Sequence, residues 1–593
     1  MTRALGLILT CSFLVLTAAA PEARAQNPIK DWNVIIVLSA TYTDMEAKLG
    51  WTGSSDNVNV LVLHDQDGTG LRAYRLLKDT NTVHPPGECC PDTEIDCCLS
   101  EELPLSAMGL SPTDYMYDSG VLAGFLTWVT QTYPAQHTLL SARGQMSGGY
   151  ILRHNNGGGM DIDQFATAVA PLVTAMGHKI DVVNFGFCLS ADVDWAYALR
   201  NVADYFVASA NYSHPPVAAR WRAYMWVRKI ITTPTLTSRD LALEIPEVYS
   251  QTTDDCVAAG DYCTNTNPPN PAPYTPGLDE PWTASVMDLS QIEPVALATR
   301  DLVCSMLADF PTLQSDFDRA LRQSTIYGMG YDVSYKRPDL KLFAMKLKSL
   351  TDDVAVQNAA DQVIAATEMV VIDNHFQTVP PPSGGGGWFM GTNDCFGMSA
   401  FAATASDALN HYETLFGNYQ LASMWRLLLE TNMGAPMPSV QSLTIEPAVI
   451  DLKVDEAIPV SARGVSAEYG TMCALTVDWD TTDLNSVAEL DGNANPTSLT
   501  GRLPGEGILK ATAGGMSASA RVTVTRDTPL PVDPTDNDKA AKGCGCTSGV
   551  RTTPWLGALL LVGGVLSRSS RMRRRTRQQA SAPTSVPESD QNQ

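Results

Sequence analysis

The sequence predicts an α/β fold: a mostly parallel sheet with flanking helices, then a helical subdomain, then a small β-sandwich. Three observations carry this. Short β-branched apolar runs alternate with stretches of helical spacing through residues 32–209, the pattern of a parallel sheet covered on both faces. From Met287 to Val371 the spacing is mainly helical, which sets a helical subdomain at about 284–372. Residues 438–525 switch to Val/Thr-rich alternation with frequent turns, as in a sandwich.

The chain opens on a positive residue, Arg3, an apolar run over 4–20 and Ala23-Arg24-Ala25 before Gln26. This reads as a secretory signal peptide over 1–25 cleaved after Ala25; a retained membrane anchor would need a longer run. Trp32–Leu38 and Asn57–Leu63 read as buried strands. The second ends in an Asp/Gly cluster that lacks the rest of a calcium loop and reads as a polar turn. Ser119–Thr132 has helical spacing and stops at Tyr133-Pro134. Thr138–Ala142 is a third strand, followed by Arg143-Gly144. Asp163–Met176 is an amphipathic helix closed by Gly177. Next come a strand from Ile180 that runs toward Cys188, a helix near 193–202 and a strand at Tyr205–Ser209. A Pro/Gly break at 380–387 precedes one more strand and a helix within 396–432, so 26–432 forms one large unit. A Pro/Asp linker occupies 526–543. An apolar segment over 554–566 and an Arg cluster ending at Arg577 make up a tail over 544–577, followed by a disordered end at 578–593.

The formal net charge is −24, and residues 542–577 hold eight Lys/Arg and no Asp/Glu, so the body is more acidic still. Such a body repels phosphates, and nucleic acid is not an expected partner. Export favours disulfides over zinc. The cluster Cys89, Cys90, Cys97, Cys98 is expected to form two local bridges, and Cys256 is expected to pair with Cys263. Cys304 and Cys395 are candidates to pair within the large unit. Cys188 and Cys473 are expected to remain thiols. No cofactor or metal is expected.

Cys188 stands where a buried strand gives way to a helix, the edge at which open α/β sheets hold their chemistry. A thiol nucleophile needs a base for its proton and an acid for the leaving amine. The motifs Trp32-Asn-Val-Ile-Ile-Val-Leu38, Asn57-Val-Asn-Val-Leu-Val-Leu-His-Asp65, Cys188-Leu189, Asp194-Trp-Ala-Tyr-Ala-Leu199 and Asp204-Tyr-Phe-Val-Ala-Ser209 resemble the clostripain family of cysteine peptidases. Met287-Asp-Leu-Ser290, Asp339-Leu-Lys-Leu-Phe-Ala344 and Phe396-Gly-Met-Ser399 continue the resemblance in the same order. It implies a caspase-like fold and a Cys/His mechanism. The segment 438–525 resembles bacterial Ig-like domains, and the tail, with Cys544 and Cys546, resembles MYXO-CTERM sorting tails. These imply a spacer and processing at the cell envelope.

The departures fall on the site. Arg143 stands before Gly144, where the family has its catalytic His. Gly186 stands where the family has an Asp tied to preference for Arg or Lys before the scissile bond. A guanidinium stays protonated and neither takes nor gives the proton. His154, or His214 on the loop after the following strand, could serve as a displaced base only if the fold brings it round, while His137 should face away. The expected protein is therefore an exported, envelope-anchored, catalytically degenerate homologue of a cysteine peptidase that binds a peptide or protein ligand. Its other partners would be the sorting machinery and, through its tail, the membrane. An active endopeptidase with a displaced His and a surface adhesin acting through the Ig-like domain are the alternatives.

Overall fold

The computed structural model describes residues 27–40, 53–66, 70–77, 100–144, 150–154, 157–211, 226–233, 235–250, 282–325, 327, 335–377, 394–403, 418–473, 475–492 and 495–526. The expectations at Ala25, Cys89, Cys90, Cys97, Cys98, His214, Cys256, Cys263, Cys544, Cys546 and the apolar segment 554–566 lie outside them. Among the described residues no helix is long and apolar enough to cross a membrane.

Five parallel strands make the centre of the molecule: β1 (Lys30–Ala40), β2 (Val58–Gln66), β5 (Ala135–Arg143), β6 (Ile180–Gly186) and β7 (Ala203–Ala208). They lie in the order β2-β1-β5-β6-β7. Their apolar residues are buried on both faces, which is why they read as continuous runs rather than as alternation. Antiparallel strands extend both edges. β3 (Gly70–Leu76) and β4 (Ser100–Glu102) follow β2 on one side; β8 (Trp282–Asp288) and β10 (Val371–Gln377) follow β7 on the other, giving nine strands.

The helices follow from caps as much as from spacing. Helix α1 (Ser119–Thr132) starts on the Asp118 carboxylate, which accepts from Gly120 N. Helix α2 (Ile162–Met176) has a capping box of Asp161 and Gln164 and ends on Gly177 at φ 75°. Helix α3 (Val193–Leu199) follows Cys188, and α4 (Ser238–Ser250) packs beside β7. The stretch of helical spacing forms α5 (Ile292–Ala308), α6 (Phe310–Ser324), α7 (Leu340–Leu350) and α8 (Val354–Val370). It is not separate from the sheet: β8 precedes it and β10 follows it, so the helices form an excursion between two neighbouring strands. Two short strands, β9 (Tyr335–Lys336) and β11 (Ala402–Ala403), pair with each other, and α9 (Asn418–Ala422) and α10 (Trp425–Asn432) close this unit.

The C-terminal segment forms two sheets from nine strands, β12 (Ser442–Glu446) through β20 (Met516–Thr525). The burial of β12, β13 (Val449–Lys453) and β19 (Gly505–Ala513) alternates along each strand, as the period-2 pattern requires. These sheets share one apolar core with the helices of the larger unit, and the described residues form a single compact body.

One expected pairing is corrected. Cys304 bonds Cys473, not Cys395, with Cα atoms 5.4 Å apart. Cys304 is half-buried on α5 where the C-terminal sheets dock, so the thiol within bridging distance comes from that module. The expectation of a Cys473 thiol fails with it. Cys395 is a buried thiol 3.1 Å from Tyr327 Oη. Burial first, and the Asp339 charge second, push it up to about 12.

Candidate active site

The carboxyl ends of β2, β1, β5 and β6 form one row. Asp65 is in register with Ser39, Leu38 with Arg143, and Arg143 with Gly186. Cys188 follows β6 by two residues, half-buried and outside any disulfide.

The turn that carries Cys188 is held from three directions. Leu189 adopts φ 58°, an uncommon conformation for a branched side chain, and its N–H donates to Asn211 O at 2.7 Å. Ala191 N donates to Ser209 O at 2.8 Å, so the end of β7 fixes the turn from one side. Ser190 Oγ closes it by donating to Phe187 O at 2.8 Å. From the far side Arg337 donates to Leu189 O at 3.3 Å and pairs with Asp192 at 3.0 Å. Ser399 completes the clamp: its N–H donates to Ala191 O, and its carbonyl accepts from Val193 N. Arg337 and Ser399 are site-supporting residues that the sequence reading did not single out. The Phe396-Gly-Met-Ser399 motif was the signal available for Ser399; Arg337, in an ordinary polar stretch, offered none.

Below this clamp lies a buried carboxyl pair. Asp194 is wholly enclosed and takes a 2.8 Å hydrogen bond from Gln420 Nε2. Burial first, and the neighbouring Asp192 second, hold its carboxyl well above the usual range, favouring the neutral acid.

Arg143 is only 2% exposed. Its Nε donates to Ser141 Oγ at 3.2 Å, Asn184 Nδ2 donates to the same oxygen at 3.3 Å, and its guanidinium carbon lies 5.9 Å from the Trp226 ring centre. Its side chain crosses Gly186: a Cβ placed there would stand 2.8 Å from Arg143 Cγ and 3.0 Å from Nη1. The two departures at 143 and 186 are thus one packing arrangement, the longer side chain filling the space the glycine leaves. Gly144, at φ 153°, is required for a separate reason, because a Cβ there would fall 1.8 Å from Ser39 Oγ.

The structure brings Cys188, Gly186, Arg143 and Gly144 to one edge of the sheet. His154 goes elsewhere: its Nε2 lies 4.0 Å from Asp65 Oδ1 and its ring meets Tyr115 edge-on at 5.1 Å. Asp65 stands one residue before the end of β2, three strands from β6, or roughly 14 Å at ordinary strand spacing. His137 lies at the amino end of β5, bonded to Asp181 at 2.8 Å and stacked on Trp32.

The clostripain family model matches residues 44–416, more than half of the chain. The chain belongs to the clostripain family. Among solved structures, this clostripain-family chain is similar to a secreted C11 cysteine protease from Bacteroides thetaiotaomicron in complex with an irreversible peptide inhibitor (18% identity, TM-score 0.45, 67% of this chain and 99% of that one). It is also similar to an inactive zymogen C11 protease from Parabacteroides distasonis (15% identity, TM-score 0.45, 67% and 99%). A comparison with curated proteins found no match. As a member of the family the chain carries an α/β architecture, and its sheet edge brings Cys188 and the Arg143 guanidinium into one row.

Proposed function

We propose that this protein is an exported, envelope-anchored member of the clostripain family that has lost peptide-bond hydrolysis and holds peptides or proteins in the cleft beside Cys188. One observation carries the reading: Arg143 is buried across Gly186 in the catalytic row. A permanent cation there cannot shuttle the proton that amide hydrolysis requires. The placement of His154 against Asp65 supports the same reading, since a base must come within hydrogen-bond reach of the thiol. Export is supported by the signal-like first 25 residues and by the Cys304–Cys473 bridge, which belongs to an oxidising compartment. Anchoring rests on the apolar segment and Arg cluster of the tail.

The test compares the full chain with its Cys188→Ala variant against a mixed peptide library. Neither protein is expected to cleave, and both should retain peptides through gel filtration. Cleavage by the unsubstituted chain that disappears with Cys188→Ala would overturn the loss of activity.

A further inference from the structure

Resting on the peptide-cleft reading, we propose that Tyr115, Tyr117 and His154 form a subsite for a basic peptide side chain about four residues away from the residue at Cys188. Tyr115 is the one Phe, Trp or Tyr side chain counted as exposed among the described residues, at 42%; the others are buried or half-buried in the fold. It stands at the functional edge of the sheet. The next residue, Met116, donates its N–H to Asp65 Oδ2 at 3.0 Å, which ties the segment to the end of β2.

The platform is built rather than left over. Tyr115 and Tyr117 stack with ring centres 5.1 Å apart and planes 13° apart. His154 meets Tyr115 edge-on at 5.1 Å and Tyr117 at 6.4 Å. Gly158 passes under Tyr117 so closely that a Cβ would stand 2.3 Å from its ring. The Asp118 cap of α1 fixes the chain just beyond.

Two arguments identify the occupant. Aromatic faces attract cations, and here the Asp65 carboxylate stands beside the platform, 4.0 Å from His154 Nε2 and accepting from Met116 N. The acidic body, within a chain of net charge −24, draws basic peptides to the surface as a whole. The distance follows from the sheet. β2 and β6 are three strand spacings apart, roughly 14 Å, and an extended peptide advances about 3.3 Å per residue, so about four residues bridge the gap.

The test uses the full chain and peptides ending in a chloromethyl ketone, which alkylates Cys188 with loss of chloride. A single Lys is placed two, four or six residues from the electrophile, with norleucine as the uncharged control, and labelling of Cys188 is followed by mass spectrometry. Lys at the fourth position is expected to raise the labelling rate about tenfold over norleucine. That gain should vanish in Tyr115→Ala and persist in Tyr115→Phe, which keeps the aromatic face. Equal rates for all Lys positions, or a gain that survives Tyr115→Ala, overturn the subsite and leave the peptide cleft standing. Peptides that label Cys188 no faster than a bare chloromethyl ketone overturn both.

Discussion

At the scale of single residues, Arg143 and Gly186 explain each other. Neither is strained; the constraint is volume. A Cβ at 186 meets Arg143 Cγ at 2.8 Å, so Gly186→Ala should cost about 1–3 kcal/mol through overpacking. In an Arg143→Ala background most of that cost should disappear. Urea denaturation of the four proteins measures the coupling, and an equal cost in both backgrounds would refute the packing account. The sequence exposed both substitutions because they interrupt a recognisable pattern. It could not show that the guanidinium lies over residue 186, since that depends on the β5–β6 register and on Trp226 arriving from elsewhere in the chain.

At the scale of elements, the Cys188 turn depends on distant segments whose own stability changes with pH. Asp339 caps α7, accepting from Leu342 N at 3.0 Å, and also accepts from Phe396 N and Tyr327 Oη. These donors favour the carboxylate, yet complete burial outweighs them and raises its pKa to about 6. An acid whose folded pKa is raised contributes fully below its unfolded value, and that contribution is lost as pH rises through the folded value. Stability from this group should therefore fall between about pH 4 and pH 6, by on the order of 3 kcal/mol, and then level off. Asp339→Asn should be less stable overall and should flatten that part of the profile in thermal melts from pH 3.5 to 7. A slope unchanged by the substitution would assign the pH dependence to other groups. The elements were unevenly legible. Helix α1 matches its expected span, and the five central strands fall where the apolar runs placed them. Strands β3, β4, β8 and β10 are not legible in the sequence, because edge strands are partly polar and β8 and β10 adjoin loops and helices whose spacing masks them.

At the scale of the molecule, the C-terminal sheets form a docked part of one body. The Cys304–Cys473 bridge is reinforced by Arg300 donating to Thr471 O at 2.5 Å, by Tyr469 Oη donating to Glu430 at 2.7 Å and by Arg426 pairing with Glu468 at 3.5 Å. Replacing both cysteines by serine removes a link between residues 169 apart and should cost roughly 2–4 kcal/mol. Calorimetry should show a lower unfolding temperature and a separate transition for residues 438–525. A single transition at an unchanged temperature would mean that the shared apolar core holds the module without help.

The sequence by itself determined the fold class, the order of the central strands along the chain and the family. Apolar periodicity and local motifs are written in neighbouring residues, so they can be read without the fold. Tertiary structure alone decided which thiol Cys304 meets, that His154 stands beside Asp65, and that Arg337 and Ser399 clamp the Cys188 turn. Each of these depends on side chains far apart in the chain being carried to one place by strand register and helix packing.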